Sequence, residues 1–135
     1  MKTVNIIVAA ATVLLVVVLT SIQPRREKVP PVYTAAAETT LSGVVAETRE
    51  FFCPISDDQE MHLLLRTSQG DTLIHVAPSR FLRTQQFRIN ADDPISVVGT
   101  RLNYQGQDAM LAREITHGNE VLIVRDHQGR PLWTH

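Results

Sequence analysis

The apolar run from Val4 to Leu19, relieved only by Asn5 and Thr12, sets the layout of this chain before any domain is considered. It stretches from Thr3 to Gln23 before charge intervenes. About 20 apolar residues at a rise of 1.5 Å span a bilayer core, so the segment is near the minimum for one helical crossing. One crossing in 135 residues leaves room for one small domain. The sequence therefore divides into a membrane segment (1–23), a Pro-, Ala- and Thr-rich linker (24–39) that holds the domain off the membrane, and a domain (40–135).

A cleaved signal peptide needs a positive start, a short apolar centre and a small-residue site soon after it. Lys2 supplies the start, but Arg25, Arg26, Lys28 and Pro30-Pro31 separate the apolar run from the small residues Ala35-Ala36-Ala37. This spacing favours an uncleaved anchor. A lipoprotein would need a cysteine directly after the run, and the single cysteine is Cys53. Positive charge is nearly balanced across the segment and leans slightly toward a cytoplasmic domain. A short N-terminal tail of this kind usually sends the following domain outward. The expectation is a single-pass inner-membrane protein with an extracytoplasmic, periplasmic domain.

From Glu38 onward the chain has nine Arg, no Lys and thirteen Asp plus Glu, a net charge of 9 − 13 = −4. Phosphate neutralisation dominates nucleic-acid affinity, so this bulk charge argues against a nucleic-acid partner. One cysteine cannot form an internal disulfide, and the domain must fold on its core alone.

Within the domain the periodicity is mostly two. Leu41 to Thr48 alternates as a first strand with Gly43 inside it, the mark of a bend or bulge. Phe51 to Gln59 reads as a loop. Met61 to Ala77 reads as a hairpin around a Gln69-Gly70 turn, pairing Leu65 with Ile74 and Leu63 with Val76 on an apolar face. The opposite face would set Leu64 against His75, Arg66 against Leu73 and His62 against Ala77. Ser79 to Phe87, free of Gly and Pro, reads as one short helix. Ile95 to Thr100 and Ala109 to Thr116 follow as strands, and Glu120 to Arg125 with Pro131 to Thr134 as a final hairpin. The predicted fold is mainly β: a small OB-fold-like barrel of five strands, with the helix between strands three and four and a C-terminal hairpin.

Gly43-Val44-Val45, His75-Val76-Ala77-Pro78, Phe81-Leu82, Phe87, Val97-Val98-Gly99-Thr100-Arg101, Ala112-Arg113-Glu114-Ile115, Val124-Arg125-Asp126 and Gly129-Arg130-Pro131-Leu132-Trp133 together resemble an uncharacterised bacterial family. Its members are small OB-fold-like domains behind an exported or anchored N-terminus. The resemblance runs from about Leu41 to Trp133. The family pattern has Gly where this chain has Ala77, and Gly-Asp where it has Asp92-Asp93-Pro94. The resemblance implies fold and placement and brings no catalytic residues with it.

Six residues are candidates for ligand binding: His62, Arg66, His75, Arg80, Arg83 and Tyr104. In the expected register His75 lies diagonal to His62 and Arg66 on an outer face, where the two histidines could meet a small anion or metal only by leaning together. The bland reading is that His75 hydrogen-bonds the backbone near Pro78. Arg80 and Arg83 are helical neighbours able to form a cationic patch, or a solvated face balanced by Asp92 and Asp93. Tyr104 is the one aromatic near a binding loop, too little for a base-stacking platform. Phe51, Phe52, Phe81, Phe87 and Trp133 read as core and end plugs.

A copper carrier could draw on Met61, His62, His75, Met110 and His135, since soft ligands select Cu(I), but no two sit at a diagnostic spacing. Cys53 has no base or oxyanion site beside it in sequence and reads as a bystander. No catalytic motif occurs. The expectation is a non-enzymatic binding or adaptor module with no cofactor and no metal. It would touch the membrane through its N-terminal helix and present the outer face of strands two and three to an envelope protein or small ligand. A nucleic-acid or other polyanion binder using Arg66, Arg80, Arg83 and Tyr104 is the alternative, and the metal carrier comes third.

Overall fold

A computed structural model describes residues 33–133. The expected membrane segment lies outside the described residues. Among the described residues no helix is long and apolar enough to cross a membrane.

The chain is mainly β, as the alternation predicts. It runs β1 (Glu38–Cys53), β2 (Asp58–Thr67), β3 (Gly70–Pro78), a helical turn α1 (Ser79–Leu82), β4 (Pro94–Tyr104), β5 (Gln107–His117) and β6 (Glu120–Ile123). The sheet order is β3-β2-β1-β4-β5-β6, with β3 also pairing β5. All neighbours are antiparallel except β3 and β5, which run parallel through Leu73, Ile74 and His75. The pairings of the first five strands thus return on themselves. Leu63, Leu65, Ile74, Val97, Met110 and Ile115 are fully buried in the core, and Trp133 joins them from the C-terminal segment.

β1 is longer than its sequence pattern suggests because it serves two partners. Its first half pairs β4 and its second half pairs β2, with a register shift between Val45 and Glu47. The β4 pairing ends at Val44, and on that side the Asp92-Asp93 turn takes up the Val45 backbone: Val45 N donates to Asp93 O (2.9 Å) and Asp92 N to Val45 O (2.7 Å). Phe51, Phe52 and Cys53, expected in a loop, are strand residues paired with Glu60, Gln59 and Asp58. Only Pro54 to Asp57 turn the chain.

The β2–β3 register also departs from expectation. The two-residue turn is Ser68-Gln69, so Thr67 faces Gly70, Leu65 faces Thr72 and Leu63 faces Ile74. Thr67 decides this: its hydroxyl donates to Gly70 O (2.8 Å) and accepts from Gln69 N (3.1 Å), fixing the turn around itself. The same register puts His62 opposite His75, and a further shift between Met61 and His62 then brings Met61 opposite Ala77. The helix is one turn where Ser79 to Phe87 was expected, with no side-chain cap. The final hairpin is a single bridge, Arg125 to Pro131.

The entry to β1 is pinned by charge. Arg113 Nε and Nη2 each donate to a Glu38 carboxylate oxygen at 2.9 Å, and Tyr33 Oη donates to Glu38 Oε2 at 2.5 Å. Arg113, then Tyr33, hold the Glu38 carboxyl below its usual 4.5. A carboxylate depressed by folding stabilises fully above its unfolded value, and that contribution is lost as pH falls through the folded value. Urea midpoints of wild type and Glu38→Gln should therefore differ by a constant gap from pH 7 down to the ordinary glutamate range, and converge below it. A gap unchanged at pH 3 would remove Glu38 as the source.

Candidate functional site

Strand alternation places Phe51 and Cys53 of β1, Glu60 and His62 of β2, and His75 of β3 on one face. The register set at the Ser68-Gln69 turn runs unbroken from Thr67–Gly70 to His62 and sets the two histidines directly opposite. The result is a buried polar cluster: one ligand atom from each of Cys53, Glu60, His62 and His75 lies within 4.8 Å of all the others. None of the four is more than 2 % exposed.

Hydrogen bonds order the cluster. His62 Nδ1 donates to the Glu60 carbonyl (3.0 Å), which leaves Nε2 to accept from His75 Nδ1 (3.0 Å). His75 Nδ1 is also 3.5 Å from Cys53 Sγ and 3.9 Å from Glu60 Oε1. Ser56 Oγ donates to Glu60 Oε2 at 2.5 Å. Phe51 stacks on His62 with centroids 3.8 Å apart, and Tyr104 meets the His75 ring edge-on at 4.7 Å. His75 Nε2 has no hydrogen-bond partner among the described residues.

Burial moves every member toward its neutral form. Desolvation lowers His62 to about 4 and, with His62 and Arg125 adding to it, His75 to about 3. Desolvation, then the Glu60 charge, pushes Cys53 up to about 11, and desolvation raises Glu60. A catalytic Cys–His pair needs the opposite, a lowered thiol and a basic imidazole.

A profile of the MamS/MamX magnetosome protein family matches residues 37–122. The chain belongs to this family. It is a bacterial family, and the matched segment contains all four cluster residues. No curated protein gives a significant match to the chain.

In this MamS/MamX family member the sequence candidates separate. His62 and His75 meet, and Tyr104 covers His75. The expected outer face is closed: both histidines are buried, and the His75 contact is to His62 and not to backbone near Pro78. Arg66 lies away on the surface, 3.7 Å from Asp71. Arg80 pairs with Asp58 at 2.6 Å. Arg83 lines a separate groove of about 490 Å³ with Met61, Leu82 and Phe87. Met110 is enclosed in the apolar core, Met61 packs against it, and His135 lies outside the described residues.

Sequence reasoning missed Cys53 and Glu60. Cys53 is 22 positions from His75, and reading its segment as a loop hid the alternation that puts Phe51, Cys53, Glu60 and His62 on one face.

Proposed function

We propose that this chain is a membrane-anchored, extracytoplasmic OB-fold binding module of the magnetosome setting its family name denotes, without catalysis of its own, and that its ligand is small and enclosed. The closed cycle of pairings among β1 to β5 and the helical turn between β3 and β4 support the OB-fold. The apolar run from Val4 to Leu19 supports the anchor. In OB-folds the face of strands two and three receives the ligand. Here that face carries the buried cluster.

One observation carries the reading: four ligand-type side chains converge where a macromolecule cannot reach. Leaving a buried polar atom unpaired costs about 1–3 kcal/mol, and His75 Nε2 in this cluster is such an atom among the described residues. Nothing specific favours the polyanion alternative. Phe51 and Tyr104 are turned onto the histidines, and Arg66 and Arg80 already face carboxylates.

Two measurements test this. The double variant His62→Leu/His75→Leu of the ligand-free chain should melt about 5 °C higher than wild type, from removal of about 1 kcal/mol of unmet polar burial. A lower melting point would make the cluster part of what holds the fold, against the proposal. A reporter fused after His135 should be active only outside the cytoplasm; activity inside would overturn the placement.

A further inference from the structure

The donor set is more specific than a small enclosed ligand requires. A tetrahedral ion with bonds of about 2.0–2.1 Å to nitrogen and oxygen, and about 2.3 Å to sulfur, holds its donors about 3.3 Å apart, or about 3.6 Å where one is sulfur. The cluster shows 3.0 Å between His62 Nε2 and His75 Nδ1, 3.5 Å between Cys53 Sγ and His75 Nδ1, and 3.9 Å between Glu60 Oε1 and His75 Nδ1. Each differs from its ideal value by about 0.6 Å or less, and the ligand atoms of the four residues all lie within 4.8 Å of one another.

Resting on the enclosed-ligand reading above, we propose that the ligand is a single divalent transition-metal ion of the zinc class, held tetrahedrally by Cys53 Sγ, Glu60 Oε1, His62 Nε2 and His75 Nδ1. Thiolate and imidazole donors exclude the hard cations Ca²⁺ and Mg²⁺, which take oxygen ligands in higher number. A thiolate and a carboxylate together neutralise a divalent charge, which a buried site requires. Four protein donors in a sealed site leave no open position for water, the pattern of a structural or storage site rather than a hydrolytic one.

The surroundings match at His62 and Glu60, while His75 Nε2 has no partner among the described residues. A ligating histidine gives its second nitrogen to a carbonyl or carboxylate, and His62 Nδ1 donates to the Glu60 carbonyl. The spare Glu60 oxygen accepts from Ser56 Oγ, which orients the carboxylate. Arg125, whose charge acts on Glu60 and His75, lies over the rings of Trp133 (4.9 Å) and Tyr33 (5.8 Å), with Nη1 donating to Gly129 O. The rival is a metal-free polar network in which Glu60 only offsets the charge of Arg125.

Cobalt(II) separates the two. The full chain in detergent, stripped with a chelator, is titrated with Co(II) both folded and during refolding, because the cluster is buried. The expected result is the intense visible spectrum of tetrahedral Co(II) with a thiolate charge-transfer band in the near ultraviolet. Both should saturate at one equivalent and bleach on adding Zn(II). Cys53→Ser should remove the charge-transfer band, and His62→Leu/His75→Leu should remove all bands. Ser56→Ala should weaken binding about 10- to 100-fold, as loss of a ligand-orienting partner does.

No bands by either route, with native circular dichroism, would overturn the metal, as would bands that survive the double histidine variant. Native mass spectrometry of the chain from its own membrane keeps the two readings apart. A retained non-metal ligand lost in the double variant would sink the metal and leave the enclosed-ligand reading standing. An empty chain whose double histidine variant melts lower would sink both.

Discussion

Gly99→Ala is expected to destabilise the domain by about 3 kcal/mol, the upper end for forced overpacking. A Cβ at position 99 would stand 2.2 Å from the Leu111 carbonyl oxygen, a backbone atom that cannot rotate away. Gly99 sits where β4 and β5 shift register, so relief would require parting the strands at their bulge. Gly43 repeats the arrangement on β1, its Cβ position 2.3 Å from the Arg66 carbonyl oxygen. The effect comes from close backbone approach, so valine at either position should be worse than alanine. Urea unfolding followed by far-ultraviolet circular dichroism measures it; an unchanged midpoint for Gly99→Ala would mean that the strands do not approach this closely.

Trp133→Ala should cost about 3–5 kcal/mol, as truncating a buried aromatic does. Against a typical total of about 5–15 kcal/mol, that leaves the fold marginal. The ring is 6 % exposed, belongs to the core cluster, lies 6.0 Å from the Phe81 ring and carries the Arg125 guanidinium at 4.9 Å. Removing it opens the core beside α1 and leaves Arg125 with one ring instead of two. Trp133→Phe should recover most of the loss. The chain has one tryptophan, so circular dichroism and not fluorescence must follow unfolding. A wild-type midpoint in Trp133→Ala would show that the C-terminal segment does not close the core.

Much of the fold was legible because strand periodicity is local. Alternation at Leu41 to Thr48, Ile95 to Thr100 and Ala109 to Thr116 announced β1, β4 and β5, and the stretch after Pro78 marked the helix at its observed place. Its length was not legible: Ser79 to Phe87 lacks a helix breaker, yet only Ser79 to Leu82 are helical. That stretch has no side-chain cap, and isolated short helices are marginal without tertiary packing.

The site was half legible. His62 and His75 stand out as polar residues on apolar strands, and Tyr104 as the aromatic of its turn. The chemistry of Cys53 and Glu60 was invisible, because it exists only through pairing. Two small facts set that pairing: the Thr67 hydroxyl, which starts the turn one residue early and so puts His62 opposite His75, and the shift at Met61–His62, which places Glu60 opposite Pro78.

The sequence alone determined a mainly β domain behind an apolar segment, because alternation and hydropathy are written in neighbouring residues. Only the tertiary structure decided that the face of β2 and β3 is buried and that a thiol, a carboxyl and two imidazoles share one point on it. A register is a relation between strands. One shift moves a side chain from a diagonal position to direct opposition, and no pattern within a single strand records it.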